Sequence, residues 1–276
     1  QTISVTIGEG NLDEGVPWEF FYKNSIFQTL YYPAEIGFYG QVIAVQFYNQ
    51  FTTTTLQNKP VKLWLGSTQL ENLQDGWVPF NELTLVYDGT LNFPAGANTI
   101  TVPLQTPYSY TTGNLVLYAQ RPMDTAYFSS SDNFKAQTIG SNRSRKLQSD
   151  STVYDPAAPT GGTVSGTFPK TTFVMTPLGT DPVIGINPSS LDYGTVLLGS
   201  SHNRTVNVMN MGGGTLGITS VSISGSPYYS LTTQPTVPAN LNTGKTLALN
   251  VTYAPTEAGT HTATITIVDN QGTRRT

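Results

Sequence analysis

A chain of 276 residues exceeds a single small module, and at roughly 100 to 150 residues per domain it divides most naturally in two. Charged residues make up 11% against about 25% in ordinary soluble proteins, and Thr alone occurs 42 times, a composition that excludes a helix-rich surface and favours strands with hydroxylated faces. Thirteen Lys and Arg against 17 Asp and Glu leave a formal charge of −4, so no basic field gathers nucleic acid or anionic lipid, and with no Cys there are no disulfides, thiolate nucleophiles or Cys-ligated metals.

From the start of the chain, Gln1–Ile7, Val42–Tyr48, Val61–Leu65, Leu83–Tyr87, Thr99–Val102, Asn114–Tyr118 and Phe168–Met175 read as strands separated by Gly, Pro and Asn turns. Antiparallel strands over this length predict a two-sheet, jelly-roll-like β-sandwich with long loops for residues 1–178. The stretch from Ser129 to Gly162 is polar and long, the profile of a functional or loosely ordered loop, and its basic run Asn142–Lys146 reads as a solvated loop. Two Pro and a Gly in Met175–Pro182 then mark the domain boundary. The composition changes there: residues 1–180 hold 26 aromatics and a net charge of −4, whereas residues 181–276 hold 4 aromatics and are neutral.

Beyond the boundary, Thr205–Met209, Thr219–Ile223, Leu247–Tyr253 and Thr262–Val268 alternate with period two. Leu247, Leu249, Val251, Tyr253, Ala263, Ile265 and Ile267 are the expected core, with Thr262, Thr264 and Thr266 in water. Turns fall at Gly212–Gly214, Gly225–Pro227, Asn242–Gly244 and Pro255–Gly259, a spacing that predicts a smaller immunoglobulin-like β-sandwich over 182–276.

Ile186–Val196, Val206–Asn210 with Gly213 and Leu216, Val251–Pro255 and Gly259–Ile265 together resemble the Hydin/major-sperm-protein-like immunoglobulin domains. The resemblance implies a spacer and interaction module with no catalytic motif residue, similar to repeated modules of large bacterial surface proteins. It also implies one more strand after the Asp269–Gly272 turn, so the final strand, Thr273–Thr276, reads as cut short. Either the sequence is a fragment of a longer chain, or the open edge accepts a strand from a neighbour. In the first half, Tyr31–Gly37, Val61–Thr68, Trp77–Pro79, Leu83–Gly89 and Asn114–Tyr118 resemble an N-terminal β-domain of secreted or surface multidomain proteins of Bacteroidetes-type bacteria. That resemblance implies an extracellular or cell-surface location and a modular architecture.

Candidate chemistry is sparse. Both His, His202 and His261, lie in the second half, which denies the first half a Ser-His-Asp triad or a His-ligated metal; both are expected at surfaces or strand edges. Glu14, Glu19, Glu35, Asp75, Glu82 and Asp88 could supply a carboxylate pair, but no two share a recognisable spacing and Asp88–Gly89 has a sufficient reading as a turn; Glu35, within Tyr32–Gly37, is the foremost of them, with bonding to backbone amides as its structural alternative. No cofactor is expected. Calcium is the ion that hard oxygen ligands in loop-rich sandwiches suit best, with Asp13–Glu14 and Asp132–Asn133 as candidates, but no full Asp-rich loop is present and no ligand is assigned. Trp18, Tyr22, Tyr31, Tyr32, Trp77 and Tyr127 lie near turns; of these Trp18, Tyr32 and Trp77 are the candidate ligand-binding residues, because exposed rings stack on sugars.

The sequence thus predicts a non-catalytic extracellular module, structural or adhesive, of a bacterial cell-surface protein or appendage. It would meet other modules or like subunits through sheet edges, and no window of about 18 apolar residues predicts membrane insertion. The alternative is a carbohydrate-binding module that stacks glycan on first-domain aromatics.

Overall fold

The computed structural model describes residues 2–52, 55–272 and 274–275, the last two by their backbone alone. Gln1, in the first expected strand, and Thr273 and Thr276, in the last, lie outside the described residues. The chain is almost entirely β and divides into two units, Gln1–Thr176 and Pro177–Thr276, each built from a pair of antiparallel sheets.

The first unit runs β1 (Ile3–Ile7), β2 (Leu12–Glu14), β3 (Asn24–Tyr31), the single-turn α1 (Pro33–Ile36), β4 (Gly40–Phe51), β5 (Leu56–Thr68), β6 (Leu83–Phe93), β7 (Gly96–Tyr110), β8 (Asn114–Arg121), β9 (Asn133–Thr138), β10 (Ser144–Ser149), β11 (Thr163–Ser165), β12 (Thr167–Pro169) and β13 (Thr171–Thr176). One sheet has the order β1-β13-β4-β9-β12, with β2 added on β9 and β7 on β4; the other has the order β11-β10-β3-β8-β5-β6. An aromatic cluster fills the interior. Phe20, Phe51, Phe93 and Phe134 pack ring against ring, with centroids 4.9 to 6.3 Å apart, and Trp18 meets Phe47, Phe93 and Phe134 edge-on.

Strand β3 is buried on both of its faces, with every one of its residues inaccessible. Phe27 and Tyr31 point inward, against Ala136 and against Phe168 and Phe173. Ile26 and Leu30 point outward into two further clusters, made with Trp77, Phe80 and Tyr154 and with Leu73 and Val78. Residues 69–82 and 150–162 therefore form a cover over the outer face. Polar side chains hold it down: the Gln28 amide accepts from the Val78 N–H at 2.7 Å, and Arg145 donates to the carbonyls of Leu73, Gln74 and Gly161 at 2.6 to 3.0 Å.

Two expectations are corrected here. The 129–162 stretch is not a loosely ordered loop, since it contributes β9 and β10, and β10 pairs with β3 over six residues. The Asn142–Lys146 run is not solvated either: Arg143 and Arg145 are 2% and 8% exposed. Each guanidinium fork meets carbonyls from other segments, and that of Arg143 the Glu35 carboxylate as well, so the donors of both side chains are satisfied where they are buried.

The second unit runs β14 (Ile184–Asn187), β15 (His202–Asn210), β16 (Thr215–Gly225), β17 (Tyr229–Leu231), β18 (Ala239–Asn242), β19 (Thr246–Tyr253), β20 (Ala263–Asp269) and β21 (Arg274–Arg275). Its sheets have the orders β14-β15-β19-β17 and β18-β16-β20-β21. Alternation places Val206, Val208, Leu249, Val251 and Tyr253 of one sheet against Leu216, Ile218 and Ile267 of the other, a single aliphatic core. Leu247, Ala263 and Ile265, expected in that core, are only half-buried.

Candidate interaction site

Ile265 and Ala263 are half-covered because of what flanks β20. On one side β16 pairs with β20 from Ala263 to Asp269; on the other, β21 pairs only with Ile267 and Val268. The turn that brings β21 back is short: the Gly272 N–H closes on the Asp269 carbonyl at 3.1 Å, the Asp269 carboxylate accepts from the Gln271 N–H, and Gly272 takes φ 76°, which a side chain resists. Ala263–Ile265 have no strand on that side among the described residues.

Beside this edge lies a groove of about 270 Å³ between the sheets. Its walls are apolar, with Ile186 and Leu191 on one side, Ile223 and Ile265 on the other, and the core residues Val206 and Val251 at its base. Ser189, Ser190, Thr262 and Thr264 rim it with hydroxyls. An unpaired strand edge next to an apolar furrow offers hydrogen bonds and side-chain pockets together, the combination used when an extended peptide joins a sheet.

One end of the groove is closed by aromatic side chains whose polar atoms are all satisfied. Tyr229 stacks on Tyr253 at 4.4 Å, and Tyr193 packs on both. Tyr193 and Tyr229 donate to the carbonyls of Val251 and His261, and the Tyr253 hydroxyl meets His261 Nδ1 at 2.7 Å. Burial pushes the Tyr193 and Tyr229 phenols above their ordinary range, the neighbouring tyrosines adding to it, so these groups stay neutral and serve as packing. Beyond them a second recess of about 720 Å³ is bordered by Leu197 and Leu198, which are 76% and 57% exposed. Two adjacent leucines held in water are the surface feature expected of an interaction module rather than of an isolated domain.

Residues 182–276 match the ASH family model (Abnormal spindle-like microcephaly-assoc'd, ASPM-SPD-2-Hydin). No curated protein matches the chain. The match supports the Hydin-like reading of the second sandwich. An ASH domain is a β-sandwich module of the protein–protein interaction type, and its family is non-catalytic. The groove, the β20 edge and the exposed leucines all lie within the residues that match the ASH model.

The sequence-derived candidates lie elsewhere and do not converge. Trp18 is 0% exposed, edge-on to Phe47 at 5.2 Å, so no face of its ring is open to a sugar; proximity to Pro17 gave no sign of this, because the chain there turns inward. Tyr32 is half-buried: its carbonyl starts α1, its hydroxyl donates to the Glu71 carbonyl at 3.0 Å, and the Arg143 guanidinium lies 4.9 Å from its ring centre. Trp77 is half-buried in the cover over β3, tilted against Tyr118, with Nε1 donating to the Gly161 carbonyl at 2.9 Å.

Glu35 is held by Arg143 through two bonds of 2.8 Å and accepts the Tyr32 N–H at 2.9 Å, a structural role that occupies both oxygens. Glu19 pairs with Lys146, Asp88 with Lys62 and Asp13 with Lys135. Asp132 accepts from the Thr52 N–H. Among the described residues no group of three or more His, Cys, Asp or Glu converges as a metal site would require. His202 is exposed, and His261 is half-buried beneath Tyr228 and Tyr253. What sequence reasoning missed is Leu197–Leu198, whose signal was an apolar pair next to Gly199 rather than inside an alternating run.

Proposed function

We propose that this chain is a non-catalytic extracellular module, structural or adhesive, of a bacterial cell-surface protein or appendage. In this reading its ASH domain takes an extended strand of a like subunit along β20. The observation that supports the strand-edge contact is the juxtaposition of the Ala263–Ile265 edge, which no strand pairs on that side among the described residues, with the apolar groove formed by Ile186, Leu191, Ile223 and Ile265. The surface location is supported by composition, 11% charged residues and 42 Thr, and by the resemblance of residues 1–178 to secreted Bacteroidetes-type β-domains. No cofactor or metal enters this function. A glycan reading built on Trp18, Tyr32 and Trp77 has no support in their surroundings, since one ring is enclosed and the other two are engaged with backbone carbonyls.

Sedimentation over a wide concentration range, with amide exchange followed at Ala263–Thr266, tests the contact. Mass that rises with concentration while these amides slow, and that reverts in Ile265→Lys without loss of the thermal transition, is the expected result. A monomer at every concentration with freely exchanging edge amides refutes it.

A further inference from the structure

Among the described residues, only two aromatic side chains are exposed, Phe21 at 41% and Tyr127 at 59%, and their rings touch, with centroids 6.3 Å apart. Tyr22, half-buried, meets the other side of Phe21 at 5.3 Å. Scattered exposed aromatics need no explanation, but the two in this chain come from segments a hundred residues apart in sequence and form one patch.

The backbone on both sides of the patch is fixed. Arg121, 1% exposed, donates through Nη1 to the Tyr22 carbonyl and through Nη2 to the Ala126 carbonyl at 3.0 Å, so one buried guanidinium ties the two loops. The Asp124 N–H bonds to the Lys23 carbonyl at 2.8 Å, the Phe128 N–H to the Phe20 carbonyl at 2.7 Å, and the Phe21 N–H to Glu19 Oε1 at 3.0 Å. The rings are therefore presented from a pre-organised base, which removes much of the ordering cost of binding.

We infer that Phe21, Tyr22 and Tyr127 form a binding site for a neutral pyranose chain. Charge narrows the choice of ligand. Asp124, the carboxylate between the two loops, is neutralised by Lys59 and Arg121, and Lys59 also lies 4.4 Å from the Phe128 ring centre, so a cationic ligand would meet cations already in place. A polyanion finds Lys59 and Arg121 already committed to Asp124, and Lys23 opposed by the exposed Asp150 whose Oδ1 holds the Lys23 N–H at 3.0 Å. A protein partner needs about 800 Å² on each side, more than three rings present. A sugar ring offers a C–H face for an aromatic and equatorial hydroxyls for a rim of Tyr hydroxyls and Asp150, and this patch supplies both. The glycan site is on the first sandwich and stands independently of strand uptake by the second.

The test is a panel of neutral oligosaccharides (β-glucan, mannan, chitin and galactan hexamers) titrated calorimetrically into the whole chain. Binding of at least one is expected, weakened about tenfold by Phe21→Ala or Tyr127→Ala and abolished in the double variant, as the loss of one stacked ring each would do. Both side chains are exposed, so the thermal transition should not move, and Ile265→Lys should leave glycan binding intact. No binding across the panel, binding untouched by the double variant, or capture of a protein at these rings without any glycan signal would overturn the inference.

Discussion

Replacing Arg145 with Met keeps most of its stem and removes only the guanidinium. Four hydrogen bonds disappear, and the carbonyls of Leu73 and Gln74 lose their donor, whereas the Gly161 carbonyl keeps Trp77 Nε1. Leaving a buried acceptor unpaired costs about 1–3 kcal/mol, and because these loops can lift toward water the low end applies, about 2 kcal/mol for the two carbonyls together. At a urea slope of about 2 kcal/mol per M this lowers the unfolding midpoint of the first sandwich by about 1 M, or its melting temperature by about 4–8 °C. The loss should also be local before it is global. Amide exchange at Leu73, whose N–H bonds to the Asn142 carbonyl, and at Val78, bonded to Gln28, should rise first, and Trp77 emission should shift to the red as its Gly161 anchor loosens. Arg145→Lys should rescue little, since an ammonium is a point charge that does not span carbonyls on two segments. A Met variant within about 0.5 kcal/mol of the parent, with unchanged exchange at Leu73 and Val78, would refute the claim that the guanidinium holds the cover in place.

Trp18→Ala should cost about 3–5 kcal/mol by urea unfolding, because it empties the centre of the aromatic cluster, and it should leave any glycan affinity per folded molecule unchanged. Asp124 responds to acid. Burial raises its pKa, but the hydrogen bonds from Lys59 and the Thr125 N–H, with the charges of Lys59 and Arg121, outweigh this and hold it below its ordinary 3.8. The unfolded chain therefore binds the proton more readily, so this contribution is complete above pH of about 4 and is lost as pH falls through the folded value; Asp124→Asn should flatten that limb of a stability–pH curve. Tyr31, Tyr110 and Tyr118 have the opposite sign: burial raises all three phenols far above 10, so their contribution fades above pH 10, and absorbance titration should leave them silent until the chain unfolds.

The second sandwich was the more legible of the two. Period-two alternation identified Leu249, Val251, Tyr253 and Ile267 as core, and all four are buried, because a sheet with one wet face writes that face into every second residue. The same rule failed for β3. Asn24, Ser25, Gln28 and Thr29 interrupt its apolar residues, yet every position is inaccessible, since the outer face is covered and each polar group finds a partner there or on a neighbouring segment: Gln28 at Val78, Asn24 at the Ser149 and Thr152 carbonyls, Ser25 at the Glu19 N–H and Thr29 at Ser144. Buried Arg143 and Arg145 misled for a related reason: charge predicts solvent unless carbonyls from remote segments converge on it, and sequence spacing does not record that convergence.

Composition and periodicity by themselves determined that this chain is β throughout, since those depend on local backbone preference and on the two-residue repeat of a strand. Which aromatics are exposed depended on tertiary structure alone. Trp18 and Phe21 are three residues apart beside the same turn-rich segment, and one is sealed among Phe47, Phe93 and Phe134 while the other stands in water against Tyr127. Exposure is set by what the rest of the chain brings to each ring, and those neighbours come from residues that are distant in sequence.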